Sequence, residues 1–176
     1  MVGQTPLEHS LHRVSKASAQ DLERLKEGVY HESSTSRSID DLREQAVADR
    51  LRLGDSFLSA GSAFLRKRPA ENRAAVGRFY YAMYHYMRAV VFFSTLGDDF
   101  QEHSKLPMHI PSDFPAVSSW ANRLKDARLH RNEADYDAYP SADADFRLIA
   151  KNLEQYAQAL TTDAYNYLRS KGCKYV

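Results

Sequence analysis

The stretch "GRFYYAMYHYMRAVVFF", residues 77 to 93, decides the fold class. Its apolar residues do not alternate as those of a half-exposed strand would, and they occupy nearly every face of a helix. A helix that is apolar all round is a buried one, so this segment predicts the central helix of the protein, over about residues 71 to 96. Pro69 and Gly97 bound it. Phe79, Met83, Tyr86 and Val90 recur at helical spacing and are expected to line the core. The same run could offer rings as a platform for nucleic-acid bases, but core packing is the stronger reading of its periodicity. Arg78 and His85 are expected to be satisfied by hydrogen bonds inside or at the helix edge.

Working outward, Ser38 is placed to cap a preceding helix, with Asp40 and Asp41 in its positive first turn. Ile39, Leu42, Ala46, Leu53, Phe57, Phe64 and Leu65 are its expected apolar positions, and Pro69 breaks it. Downstream, Pro107, Pro111 and Pro115 make residues 98 to 115 an irregular crossing. A fourth helix is predicted over about 115 to 134, then a break at Pro140 and Ser141. A last helix carries one clean stripe, Phe146, Ile149, Leu153, Tyr156, Leu160, Ala164 and Tyr167, and stops near Lys171 and Gly172. At the other end, Thr5, Pro6 and Glu8 read as a capped helix start, with helix to about Tyr30. "HESSTSRS", residues 31 to 38, reads as a linker. The expected architecture is an all-α, up-and-down bundle of four to five long helices over 38–176, with an N-terminal helical arm and linker over 1–37.

Bulk properties narrow the function. A chain of 176 residues buries enough surface to need no staple, and its single cysteine, Cys173, excludes an internal disulfide and a cysteine-based zinc site. The opening "MVGQTPLEHSLHRVSK" lacks the apolar core of a signal peptide, and "AVVFF" (89 to 93) is far short of a membrane span. A soluble cytoplasmic protein with no membrane partner is therefore expected. Net charge is +1, so no global field draws nucleic acid, although "RLR" (50 to 52) and "RKR" (66 to 68) could touch phosphate. There is no glycine-rich phosphate loop, no His-Glu-x-x-His and no nucleophile elbow. His9 and His12 sit one helical turn apart but nothing nearby completes a metal site, and His103 and His109, with Glu102 and Asp113 close in sequence, are expected to cap or pack their loop. No metal and no cofactor are expected.

Two blocks together carry a resemblance. "RFYYAMYHYMRAVVF" (78 to 92) and "RLKDARLHRNEADYD" (123 to 137) resemble, in order and spacing, the two sequence blocks of HEPN domains, over about residues 39 to 171. The resemblance implies a helical bundle that often dimerises and acts on RNA or in prokaryotic defence and toxin–antitoxin systems. In the active ribonucleases of that family an Arg, a following polar residue and a later His meet across a dimer and cleave RNA without metal. Carried over, the Arg is Arg131 and the polar residue is Asn132, with Arg128 and Lys125 as further RNA contacts. A guanidinium suits the charge of a phosphorane, and an imidazole suits proton transfer near neutral pH.

The His position falls on Tyr136, and all seven histidines lie at or before residue 130. A tyrosine, with an ordinary pKa of about 10, is a poor base at neutral pH. His130 adjoins Arg131 but leaves the helix about 100° away from it. Three readings stay open: an RNA-associated dimeric module with an incomplete ribonuclease motif, an endoribonuclease toxin using Arg131, Asn132 and His130 or Tyr136, and an ion pair of Arg131 with Asp135 over a packed Tyr136. The resemblance further implies an antitoxin or nucleotidyltransferase as partner, with Tyr136 or Tyr139 as the residue it would modify.

Overall fold

The computed structural model describes residues 6–176, and among these it contains helices and no strand. Helices α1 (Pro6–Lys16), α2 (Ala19–Thr35), α3 (Ile39–Arg66), α4 (Asn72–Thr95), α5 (Val117–Tyr136) and α6 (Arg147–Ser170) follow one another, with single 3-10 turns at Leu106–Met108 and Asp143–Phe146. Chain contacts divide the protein into two units, Met1–Leu42 and Arg43–Val176, so that α3 begins in one and continues through the other. The cap expected at Thr5 and the side chain of Glu8 lie outside the described residues.

In the first unit, α2 opens on Ser18, whose Oγ accepts from the Asp21 amide at 3.1 Å. The serine-rich stretch expected as a linker is mostly helix. Ser33, Ser34 and Thr35 turn their hydroxyls back onto carbonyls of Tyr30 and His31, which keeps these residues inside α2. The chain breaks only at Ser36, in the left-handed region at φ 55°, and Ser38 then caps α3 by accepting from the Asp41 amide. Leu7, Leu11, Val14, Leu25 and Val29 of this unit are exposed.

In the second unit α4 is the central helix, packed against α5 and α6. Phe79, Met83, Tyr86 and Val90 are fully buried, as are Ala150, Ala157, Leu160 and Ala164 on α6, with Leu153 close behind. Tyr156, expected in the same core, lies at its edge, where the Arg123 guanidinium is sandwiched between its ring and that of Trp120.

The face of α3 differs from the expected one. Leu53 and Ile39 are exposed, and the buried positions are Val47, Ala48, Leu51, Gly54 and Gly61. The reason is steric. A Cβ at Gly54 would lie 2.6 Å from Cε1 of Tyr86, and one at Gly61 would lie 2.6 Å from Cε1 of Phe79. Two aromatic rings of α4, seven residues apart, are thus seated on two glycines of α3, also seven apart. Beside the first seat, Asp55 accepts from the hydroxyls of Tyr86 (2.8 Å) and Tyr165 (2.6 Å), joining α3, α4 and α6.

Two devices fix the end of α5. Asp143 takes the capping role at the start of α4, accepting from the amides of Asn72 and Arg73 at 2.8 Å each. Arg73 donates in turn to the carbonyls of Ala134 (3.1 Å) and Asp137 (2.9 Å), which would otherwise be open at the C-terminal end of α5. The irregular crossing after α4 starts at Leu96, itself left-handed at φ 62°, and buries Leu106, Ile110 and Phe114. It also carries His103 back over α4.

Candidate phosphate-binding site

Arg131 projects from α5 towards α4, with only 16% of its side chain exposed. Its Nη2 donates to the Tyr81 hydroxyl, and Nη1 donates to Asn132 Oδ1 at 3.0 Å and to the Tyr136 hydroxyl at 3.3 Å. Nε lies 3.0 Å from Asp135 Oδ2, the expected i,i+4 ion pair, but its N–H is not aimed at that oxygen and makes no hydrogen bond. Tyr80, Tyr81 and Tyr136 turn their rings to the guanidinium, at 5.9, 5.2 and 5.4 Å from its carbon to the ring centres. The guanidinium is oriented from several sides, and among the described residues Asp135 is its only charged partner.

Tyr136 does not pack beneath the next helix. It is 72% exposed, touching Arg131 through its hydroxyl and its ring. His130 does not join the cluster either: its Nδ1 meets Glu133 Oε2 at 3.1 Å. Tyr139 is 80% exposed. Lys125, Arg128, Asn132 and Tyr136 recur at three- and four-residue spacing along one face of α5. Among the described residues Arg128 and Lys125 form no ion pair with a carboxylate, so that face ends in two cations beside the held one.

An imidazole from another part of the chain adjoins these tyrosines. His103, on the crossing, stacks on Tyr84 with ring centres 4.1 Å apart and binds the Tyr80 hydroxyl through Nδ1. Burial, together with the charges of Arg131, Arg128 and Arg88, holds its pKa below the ordinary histidine value, so the ring is neutral at pH 7. Burial pushes the Tyr80 hydroxyl well above the usual tyrosine range in spite of Arg131 and Arg128, so Tyr80 keeps its proton. Where that hydroxyl donates to Nδ1, the proton of the neutral ring sits on Nε2; where Nδ1 carries the proton, the hydroxyl accepts it and Nε2 is an open acceptor.

Arg88 fixes the floor beneath His103. It donates to Tyr84 at 3.1 Å and forms an ion pair with Asp98, which Arg50 also approaches at 3.5 Å. His85 stacks on Phe57 at 5.3 Å, and its buried Nδ1 has no hydrogen-bond partner, contrary to the expected satisfied histidine. Burial and the neighbouring Arg50, Arg88 and His103 lower its pKa to about 4.

Sequence reading therefore found Arg131, Asn132 and Tyr136 as one cluster, and missed Tyr80, Tyr81 and His103. The tyrosines sit in the aromatic-rich α4, whose periodicity points to packing. His103 lies 28 residues before Arg131 across a proline-rich crossing, and no local spacing points to it. No group of three or more metal-ligating side chains converges among the described residues, and no helix among them is long and apolar enough to cross a membrane. The set of polar groups suits an anion: one oriented guanidinium, two further cations, an imidazole and phenol hydroxyls, with an exposed ring beside them. Comparison of the chain with protein-family models, with curated proteins and with solved structures finds no match.

Proposed function

We propose that this chain is a HEPN-like, RNA-associated module that holds a backbone phosphate at Arg131 and works as a homodimer in a prokaryotic defence or toxin–antitoxin setting. The observation that carries the reading is the orientation of the Arg131 guanidinium by Tyr81, Asn132 and Tyr136, with Arg128 alongside. A phosphate diester would displace the weak Tyr136 and Asp135 contacts and receive the fork of the guanidinium. The exposed Tyr136 ring offers a stacking surface for an adjacent base. The setting and the dimer rest on the family resemblance.

Binding without cleavage corresponds to the tautomer in which Nδ1 accepts from Tyr80: with the proton on Nε2, the ring hydrogen-bonds a phosphate oxygen but does not accept a proton from a ribose hydroxyl. The second reading, a metal-independent endoribonuclease, draws support from the same imidazole, because rotation of the Tyr80 hydroxyl would free Nδ1 as a base. Incubation of the pure protein with mixed RNA in EDTA separates the two. Retained, uncut RNA that is released by Arg131→Ala supports the module. Cleavage lost in His103→Gln supports the enzyme. Wild-type protein that neither cuts nor retains RNA removes both.

A further inference from the structure

The N-terminal arm leaves an apolar side bare. Its helices α1 and α2 are joined by Ala17 and Ser18 alone. On α1, Leu7, Leu11 and Val14 follow one another at four and three residues, and on α2 Leu22, Leu25 and Val29 follow at three and four, so each helix carries one apolar stripe. The stripes meet: Val14, Leu22, Leu25 and Val29 line one open hollow of about 410 Å³ together with Lys26. No residue of α2 is buried, and Leu7, Leu11, Val14, Leu25 and Val29 are each about half exposed or more. Single apolar residues scattered on a surface are ordinary, but a stripe continuous over two helices marks a contact. Helix length argues the same way. A helix of 11 residues, such as α1, is too short to persist in water on propensity alone and draws its stability from packing an amphipathic face.

Charge selects what covers that face. Residues 1–37 hold five Lys or Arg and five Asp or Glu, so the arm has no net field to draw an acidic or a basic partner, and two copies of it do not repel. The signs are nevertheless divided between the helices. The α1 sequence holds Arg13 and Lys16 against Glu8, whereas α2 holds Asp21, Glu23, Glu27 and Glu32 against Arg24 and Lys26. A basic helix and an acidic helix in one arm are complementary to the acidic and basic helices of a second arm related by a twofold axis. Two joined helices with connected apolar stripes are also half of a four-helix bundle, and a second copy brings the other half with the same side chains.

We propose that the arm is a self-association surface, on which α1 and α2 of one chain pack, stripe on stripe, against α2 and α1 of a second copy. The surface lies outside residues 39 to 171, over which the family resemblance runs, and it rests neither on that resemblance nor on the RNA reading. Sedimentation velocity of the full chain across the micromolar range tests it. The wild type should sediment as a dimer at tens of micromolar. Leu11→Gln with Leu25→Gln, one on each helix, should weaken the dimer about a hundredfold or more, because four buried leucines leave each dimer while glutamine keeps the helices. Val14→Gln with Val29→Gln should do the same from within the hollow, and Leu129→Gln, at an exposed leucine of α5, should leave the dimer intact. An unchanged melting curve verifies that each variant keeps its bundle folded. The proposal is overturned if the wild type is a monomer throughout, since the stripes are then covered within one chain or by another protein. It is overturned equally if both arm pairs leave the dimer intact, or if only Leu129→Gln dissociates it, which places the contact on α5. RNA retention is read separately through Arg131→Ala, so a monomer that still holds RNA sinks this inference and not the RNA reading.

Discussion

Two sides of α4 are built from the same residue types and do different work. Towards α3, Phe79 and Tyr86 press their rings onto Gly61 and Gly54, a contact of shape to which Tyr86 adds one hydroxyl bond to Asp55. Towards α5 and the crossing, Tyr80, Tyr81 and Tyr84 use hydroxyls and ring faces to hold His103 and Arg131. The first side specifies how closely two helices approach. The second arranges donors around a charge, and it tolerates an exposed cation nearby because water still reaches it. An aromatic-rich helix therefore need not be read as all core or all platform: the neighbouring helix decides, by offering either a missing Cβ or a guanidinium.

That division makes separable predictions, because the α3 side should govern stability and the α5 side should govern ligand binding. The largest effect belongs to Phe79→Ala, which empties the Gly61 seat and should cost about 3 to 5 kcal/mol in urea unfolding. A cost below about 1 kcal/mol would mean the seat is not a packed contact. Gly61→Ala approaches the same seat from the other helix. Its added methyl meets ring carbons, so a loss of about 1 to 3 kcal/mol is expected. Combining it with Phe79→Leu should cost less than the two single losses added together, since the smaller side chain makes room. Strict additivity would show that the glycine and the ring do not meet.

His85 supplies a smaller, pH-dependent effect on the boundary between the two sides. Its folded pKa of about 4 lies below the ordinary histidine value, so the unfolded chain takes up the proton first as pH falls. The contribution is fully present above about pH 6.5, declines as the solution is acidified, and is lost once pH passes the folded value near 4. Allowing for partial exposure, the amplitude is about 1 kcal/mol. Unfolding measured between pH 7 and pH 4 should show this slope in the wild type and less of it in His85→Gln. Equal slopes would place the proton elsewhere. Tyr81→Phe should be gentler still, about 1 kcal/mol or less, because it removes one hydrogen bond from a partly solvated arginine.

Much of the fold was legible in the sequence, and the reason is length. The stripes of α4 and α6 run for many turns, so a 3.6-residue period is unmistakable, and Leu153, Leu160, Met83 and Val90 are where that period puts them. The α3 face was not legible, because its deepest contacts are made by Gly54 and Gly61, residues with no side chain to register in an apolar pattern. The serines from His31 to Thr35 suggest a linker, yet their hydroxyls bond back to the helix that contains them. In the site, the Arg131 to Asp135 pair followed from helical spacing alone. His103 did not, since its approach to Tyr80 and Tyr84 is made by the tertiary path of an irregular segment.

The claim at the centre of this account is that Arg131 is held ready for a phosphate and is not merely tied to Asp135. Fluorescence anisotropy of a labelled single-stranded RNA in EDTA, titrated with wild type, Arg131→Lys and Asp135→Asn, tests it. Arg131→Lys should bind about tenfold more weakly or worse, since a point charge cannot reproduce the planar fork. Asp135→Asn removes the carboxylate that competes with phosphate for the same guanidinium and should bind more tightly than wild type. Tighter binding by Asp135→Asn together with the loss in Arg131→Lys is the predicted result. Affinities unchanged in both variants, with only the melting temperature of Asp135→Asn lowered, would make the pair a structural ion pair and contradict the account.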